Sequence, residues 1–358
     1  MKNNLLNEIY KIQKKKILCI GDIILDSYIN NKLIKISEED PINVIKKENQ
    51  FFKLGGVGNV ALNLKNFGTS VDLITIGSYD KSFKVIKKLL SENKIKSKVF
   101  YIKNNQTTIK ERHYISNYHL LRKDTEKFIN LKNSTINQLI SYIRKKISQN
   151  SYDAIIVSDY GKGLISSKLF SKLSLISNKY KIKLFVDPKS NRLSTYSGSF
   201  CIKANNKEMD IFLQKFDLKT NDLLDLNKKS LVKKCLKKEK IKNFIITRSD
   251  SDTIFFRNDK NFKINISKIK KLNVVNTTGA GDTFFAVFIC FYLVTNNFNY
   301  SILKANLFSE FSVKKFGTYA PSLHEIILNI LKIKSFELNS DIKFLKKIIQ
   351  NLKKNKQL

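Results

Sequence analysis

The most constraining stretch of this 358-residue chain is Thr277-Thr278-Gly279-Ala280-Gly281-Asp282-Thr283, which runs straight into the unbroken apolar segment Phe284–Val294. An apolar, β-branched segment ending in Val274-Val275-Asn276 precedes it. A helix that is hydrophobic all round has to be buried, so the order reads as strand, tight turn, buried helix. Gly279 and Gly281 have no Cβ, which lets the backbone bend sharply and present successive N–H groups. Those donors and the positive end of the helix form a cradle for an oxyanion or phosphate. Asp282 stands beside it. A carboxylate next to a bound anion is costly unless it has a task. The task that fits is taking the proton from a hydroxyl that attacks a phosphoryl group. For these residues alone, the alternative is a Gly-rich helix cap with Asp282 as a favourable first-turn acid.

Composition narrows the setting. A hydrophobic fraction of 42% supports a sizeable core, in one large α/β domain or two small ones. With 66 basic and 30 acidic side chains the formal charge is +36, which invites a nucleic-acid reading. The lysines are spread along the whole chain among Ile and Asn, however, as on a solvated surface. Cys19, Cys201, Cys235 and Cys290 lie far apart with no C-x-x-C, and His113, His119 and His324 form no ligand pattern. Buried free thiols in a reducing cytosol follow, with no zinc site. Residues 1–16 read as a basic, helical leader without the apolar core of a signal peptide. Phe284–Val294 is too short to span a bilayer. A cytoplasmic protein is expected.

Several other stretches carry candidate chemistry. Ile17–Ile20 before Gly21-Asp22 has the form of a first buried strand. Asp22 and Asp26 follow at its carboxyl end, where open α/β sheets bind ligands. They are candidate acceptors for polyol hydroxyls, or caps. In Gly55-Gly56-Val57-Gly58-Asn59 the paired glycines permit close backbone approach, and Asn59 offers both donor and acceptor. The third glycine of a dinucleotide fingerprint is missing. Lys110 and Arg112 are two apart and share one face of a strand. With Arg122 they could clamp a phosphate, or be solvated edge-strand charge. Strands before Asp159-Tyr160-Gly161-Lys162 and Asp187-Pro188-Lys189 deliver further acids and lysines, Lys189 being a candidate substrate contact. In Asn205-Asn206-Lys207-Glu208, Glu208 suits a hold on Mg²⁺ through water. The alternative is helix capping by Asn205.

Together, T-T-G-A-G-D-T, I-G-D-x-x-L-D, G-G-x-x-N-V-A, N-x-x-E and the closing Phe316-Gly317-Thr318 resemble the ribokinase-like (PfkB) carbohydrate kinases, over about residues 17–320. The resemblance implies a three-layer α/β/α sandwich with a small β lid from about residues 28–53 and 99–122. It makes Asp282 the base, with the Gly279, Ala280 and Gly281 amides as anion hole. Asp22, Asp26, Gly55, Gly56 and Asn59 fall at the sugar. Asn205, Asn206, Lys207, Glu208, Thr247 and Thr278 fall at ATP and Mg²⁺. The short G-G-x-x-N spacing, T-x-x-K-x-R … L-x-R-x-D, S-D-Y-x-K-G and V-D-P-K are similar to heptose-7-phosphate kinases, which places Lys110, Arg112 and Lys189 at the substrate phosphate. The implied reaction is ATP-dependent phosphorylation of D-glycero-β-D-manno-heptose 7-phosphate at its 1-hydroxyl, towards ADP-heptose and lipopolysaccharide core. Alternatives are a kinase for another sugar or nucleoside, and a catalytically degenerate basic nucleic-acid-binding protein. Departures are Asn276, where the family has Asp, and Asp252, where it has Gly. Nucleotidyltransferase domains joined to such kinases carry H-x-G-H; no such motif occurs and the Lys-rich, helical-patterned residues 321–358 are too few for one, so kinase activity alone is expected. The expected partners are a sugar phosphate and ATP, without specific nucleic acid or membrane, and a homodimer is compatible.

Overall fold

Short runs of Ile, Val, Leu and Phe, buried on both faces, form the main sheet. The computed structural model describes residues 2–325 except 117, 190–192, 215, 226–230, 232–233, 235–236, 249–250, 258–262, 268–276, 316 and 324. Asn276, Phe316, Cys235, His324 and the tail beyond 325 therefore lie outside the described residues, as does the side chain of Asp252. The chain divides into one unit over Met1–Ala320 and another over Pro321–Leu358. In the second unit, Ser322 Oγ accepts from the Glu325 N–H at 3.2 Å.

Seven strands are parallel: β1 (Lys16–Gly21), β4 (Ser70–Gly77), β5 (Lys96–Tyr101), β8 (Ala154–Ser158), β9 (Lys183–Asp187), β10 (Cys201–Asn205) and β11 (Asn243–Arg248). β12 (Ser251–Arg257) and β13 (Lys263–Ser267) extend one edge antiparallel, giving the order β13-β12-β11-β10-β9-β8-β1-β4-β5. Alternation sends Leu18, Ile155, Leu184 and Val186 to one face. There they pack with Leu139 and Ile143 of α4 (Asn133–Ser148) and Leu169, Phe170 and Leu173 of α5 (Ser167–Lys179). Phe185 faces the other way and meets Phe288 of α7 (Ala280–Thr295) edge-on at 6.3 Å. The remaining described helices are α1 (Lys2–Gln13), α2 (Val57–Asn66), α3 (Lys81–Glu92), α6 (Asn206–Gln214) and α8 (Phe298–Val313). The apolar run after Asp282 is buried, as its composition requires, and Phe291 stacks on Phe308 of α8 at 5.8 Å.

Residues expected as a polar leader form α1, whose Leu5, Ile9 and Ile12 are buried one above another at helical spacing. Tyr300 OH donates to Glu8 Oε2 at 2.7 Å, tying that helix to α8.

A second sheet, β3-β2-β6-β7, is built from β2 (Ile23–Ile36), β3 (Asn43–Gly56), β6 (Thr108–Ile115) and β7 (Tyr118–Thr125). Its second segment starts later than expected. Residues 96–101 follow α3 and pair parallel to β4, so they complete a β-α-β unit of the main sheet and do not join the small one. β2 leaves β1 across Asp22 alone, whose N–H bonds Ser158 O at 3.1 Å, so the base of the small sheet lies at the carboxyl ends of β1 and β8.

Candidate active site

The site is assembled where β-strand carboxyl ends meet the first turn of α7. Gly279 is the N-cap of that helix, at φ +81°, and no side chain caps it. The Ala280 N–H closes the bend on Thr277 O at 3.2 Å and the Thr283 N–H bonds Gly279 O at 3.0 Å. The amides of Gly281 and Asp282 thus lie in a first turn that offers them no helical acceptor. A Cβ on Gly279 would stand 2.9 Å from Asn59 Nδ2 and 2.9 Å from Thr318 Cγ2, so glycine is needed for space as well as for its dihedral. A Cβ on Gly281 would stand 3.2 Å from Lys203 Nζ. That ammonium comes from β10, is buried, and is held by Asp187 Oδ1 at 3.0 Å and Oδ2 at 3.1 Å. Burial pulls its pKa down, but Asp187, Glu208 and Asp282 outweigh burial and raise it, so Lys203 stays charged beside the bend.

Asp282 is 6% exposed. Its Oδ2 accepts from Asn59 Nδ2 at 2.7 Å and its Oδ1 from Tyr160 OH at 2.9 Å. Asn59 is itself fixed by Asn63, whose Nδ2 donates to Asn59 Oδ1 at 3.2 Å one helical turn on. Burial, and then the Asp187 charge, push the Asp282 carboxyl up to about 6, against donation from Asn59 and Tyr160. A carboxylate half-protonated near pH 6 is a usable general base at neutral pH.

Asp26 lies at the root of the small sheet. Arg112 Nη1 donates to its Oδ1 at 2.8 Å and Thr318 Oγ1 to its Oδ2 at 2.9 Å. Tyr28 OH lies 2.7 Å from Thr318 Oγ1 and accepts from the Thr318 N–H at 2.7 Å, locking the Gly317-Thr318 turn onto β2. Gly55 leaves room for Asp26, since a Cβ there would stand 2.6 Å from Asp26 Oδ2. Gly56, at φ +60°, lets the chain pass 2.3 Å from Asp22 O, counted from where a Cβ would be. The Arg112 guanidinium also lies over the Tyr28 ring at 5.3 Å.

Of the two expectations for Asp22, polyol acceptor or cap, its Oδ2 takes the cap. It is 2% exposed, and its Oδ2 accepts from the Tyr160 N–H at 2.9 Å and the Lys162 N–H at 3.1 Å. It is a loop cap. Burial, then Asp159, push it up to about 6. Asp159 is also raised by burial, and its partners are Tyr196 OH and the Gly161 N–H. Asp22 Oδ1 has no donor, which fits one proton shared between these two acids.

The N-x-x-E segment forms a reciprocal capping box at α6. Asn205 Oδ1 accepts from the Glu208 N–H, and Glu208 Oε2 from the Asn205 N–H, both at 2.9 Å. Glu208 Oε1 pairs with Lys189. Asn206 Oδ1 is buried without a partner, and Lys207 points into solvent. Thr247, next to last in β11, pairs with Asn205, with Oγ1 3.4 Å from Ala204 O. Thr278 is partly buried in the glycine bend. Lys110 is partly buried, its pKa lowered by burial, and its Nζ lies 5.6 Å from the Tyr160 ring; Lys189 Nζ lies 6.0 Å from the same ring. Arg122 stays outside, exposed, with Asp124 at 2.9 Å. The three-residue clamp is therefore not assembled. Arg112 is committed to Asp26 because a buried guanidinium needs a carboxylate.

The model of the pfkB family carbohydrate kinases matches residues 14–325. The chain belongs to the pfkB family of carbohydrate kinases. As a pfkB carbohydrate kinase it is a phosphotransferase acting on an alcohol group. The bifunctional protein HldE of Aliarcobacter butzleri (strain RM4018) is 33% identical over 338 residues, covering 94% of this chain and 68% of that protein. That of Sulfurimonas denitrificans is 30% identical, covering 89% and 65%, and that of Campylobacter jejuni (strain RM1221) 31%, covering 96% and 70%. The chain thus spans about two thirds of the length of these relatives. Among solved structures, Escherichia coli phosphofructokinase-2 in complex with potassium superimposes with TM-score 0.68 at 15% identity, over 88% of this chain and 97% of that one. Arabidopsis thaliana ribokinase complexed with ribose and ATP gives 0.65 at 14%, over 88% and 98%. These likenesses establish the ribokinase-like α/β fold.

Within this pfkB kinase the structure brings Asp282, Asn59, Gly279 and Gly281 together, with Asp26, Gly55 and Gly56 in the adjoining wall. Tyr160, Asp187, Lys203 and Thr318 are hydrogen-bonded into the same cluster, a set of contacts that residue spacing does not give. Lys203 carried a readable signal: a lysine inside the apolar run Ile202–Ala204 must find a buried partner. No helix among the described residues is long and apolar enough to cross a membrane.

Proposed function

We propose that the chain transfers the γ-phosphoryl group of ATP to the 1-hydroxyl of D-glycero-β-D-manno-heptose 7-phosphate, a cytoplasmic step towards ADP-heptose. One arrangement carries the reading. Tyr160 joins a buried carboxylate, Asp282, to two ammonium groups, Lys110 and Lys189. An acceptor that offers a hydroxyl to the first and an anion to the second pair fits it, and a sugar phosphate is such an acceptor. The relatives' names and the motifs shared with heptose-7-phosphate kinases support the same choice.

In this reaction the acceptor oxygen forms a bond to the γ-phosphorus, the bond to the β,γ-bridging oxygen breaks, and the hydroxyl proton goes to Asp282. The first-turn amides of α7, with Lys203 beside Gly281, hold charge on the transferring group. The small sheet over the strand ends keeps water from competing. Asp26 and Asn59 orient the sugar. The donor set near Asn205 fits Mg²⁺ held through water: Asn206 Oδ1 is a buried oxygen without a partner, next to Glu208. Bound Mg²⁺ supplies charge neutralisation on the triphosphate. Glu208 would then exchange its pairing with Lys189 for that role, which frees Lys189 for the acceptor's phosphate.

The test is turnover of ATP with heptose 7-phosphate, ribose and fructose phosphates. Heptose 7-phosphate should be favoured in kcat/KM by about a hundredfold or more, the size of a lost buried polar recognition. Preference for a sugar without phosphate, or for a nucleoside, would reassign the chain to another kinase of the family. Exposed Leu33, Ile34, Ile36 and Ile42 at the outer end of the small sheet support a homodimer, which light scattering would read.

A further inference from the structure

Three parts of the site converge on Tyr160. Its backbone N–H donates to Asp22 Oδ2 at 2.9 Å and so fixes the loop after β8. Its hydroxyl donates to Asp282 Oδ1 at 2.9 Å. Its ring lies 5.6 Å from Lys110 Nζ, carried by β6 of the small sheet, and 6.0 Å from Lys189 Nζ, carried by the loop after β9. Both distances are within cation–π range. With Oδ2 of Asp282 held by Asn59, the phenol occupies the oxygen that remains for an incoming hydroxyl. The groups facing it are the carboxylates of Asp282, Asp187 and Asp26 and the two lysines. Burial first, and then those carboxylates, push the phenol far up, so Tyr160 donates and stays neutral at any working pH.

We propose that Tyr160 is a positioning residue that couples the acceptor's anionic group to the availability of the base. Once Lys189 leaves Glu208, its ion-pair partner, an oxyanion gathered by Lys110 and Lys189 makes charge-assisted hydrogen bonds, which are stronger than the lysines' contacts with an aromatic face. It draws both cations off the ring, and the phenol turns from Asp282 Oδ1. An acceptor without the anion leaves the phenol on the base. The inference rests on the sugar-phosphate reading above and adds that discrimination is expressed in kcat as well as in KM.

The experiment compares the wild type with Tyr160→Phe, using a sugar phosphate, the same sugar without phosphate, and that sugar with inorganic phosphate added separately. In the wild type, inorganic phosphate should raise kcat for the unphosphorylated sugar by about tenfold, the worth of one such hydrogen bond. In Tyr160→Phe that activation should vanish, and the preference for the phosphorylated acceptor should fall by about the same factor. The acid limb of kcat/KM should also move to higher pH, because Asp282 has lost a donor to its ionised form. An active wild type unmoved by inorganic phosphate overturns the coupling by itself, whether or not the variant folds. A folded variant with unchanged preference and acid limb does the same. A wild type that turns over no sugar phosphate overturns the coupling together with the reading it rests on.

Discussion

Asn59 Nδ2 lies 2.7 Å from Asp282 Oδ2, so a residue of the first glycine turn orients one of the last, 223 positions further on. Asn59 both aims the carboxylate and stabilises its charge. Asn59→Ala should therefore lower kcat by about 10- to 100-fold and move the acid limb of the pH–rate profile upward, the sign expected when a donor to the ionised form is lost. Steady-state rates between pH 5 and 8 check this. An unmoved limb would mean that Asn59 only fills space.

Asp282 itself links pH to both rate and stability, with opposite signs. It is raised from 3.8 to about 6, first by burial. A base works ionised, so kcat/KM should rise with pH up to about 6 and then level. For stability, the folded state keeps the proton in a range where the unfolded chain has released it. The unfolded state then binds fewer protons, and stability falls as pH rises from 3.8 to about 6. Asp282→Asn should lose turnover by about a thousandfold. It should also flatten that pH dependence and be as stable as the wild type, or roughly 1–3 kcal/mol more stable, above it. Urea melts at pH 4.5 and 7.5 with a turnover assay decide both points.

Arg112 and Asp26 form a buried ion pair at 2.8 Å, with side chains 7% and 6% exposed. Arg112→Ala strands a carboxylate in the core and should cost about 3–5 kcal/mol. Arg112→Met combined with Asp26→Leu should cost clearly less, because no charge is left unpaired. Denaturant unfolding of the two variants tests the difference; equal losses would show that packing on Tyr28, not charge, is what Arg112 supplies.

Gly279→Ala meets two obstacles at once, a φ of +81° and two atoms 2.9 Å from the new Cβ. One of these is Asn59 Nδ2, so the substitution disturbs the group that aims the base. A stability loss of about 1–3 kcal/mol is expected from the backbone alone. Turnover should fall at temperatures where circular dichroism shows the protein still folded.

Stretches whose conformation depends on near neighbours were legible in the sequence. The glycine bend and buried helix over residues 277–294 and the first strand before Gly21 follow from spacing and from the missing Cβ, while the capping of α6 by Asn205 was legible only as the alternative to a hold on Mg²⁺. What the sequence could not fix is which distant side chains meet. Asp22 and Asp26 look alike in I-G-D-x-x-L-D, yet sheet order sends one under the loop after β8 and the other to Arg112, 86 residues away. Lys203 finds Asp187 because β9 and β10 are neighbours, and Tyr160 finds Asp282 because β8 ends beside the start of α7. Burial then sets the charges, since a carboxylate or ammonium taken from water must either pair or keep its neutral form. Composition and periodicity decide how each segment folds; only the packing of the whole sheet decides which acid is left to act as a base.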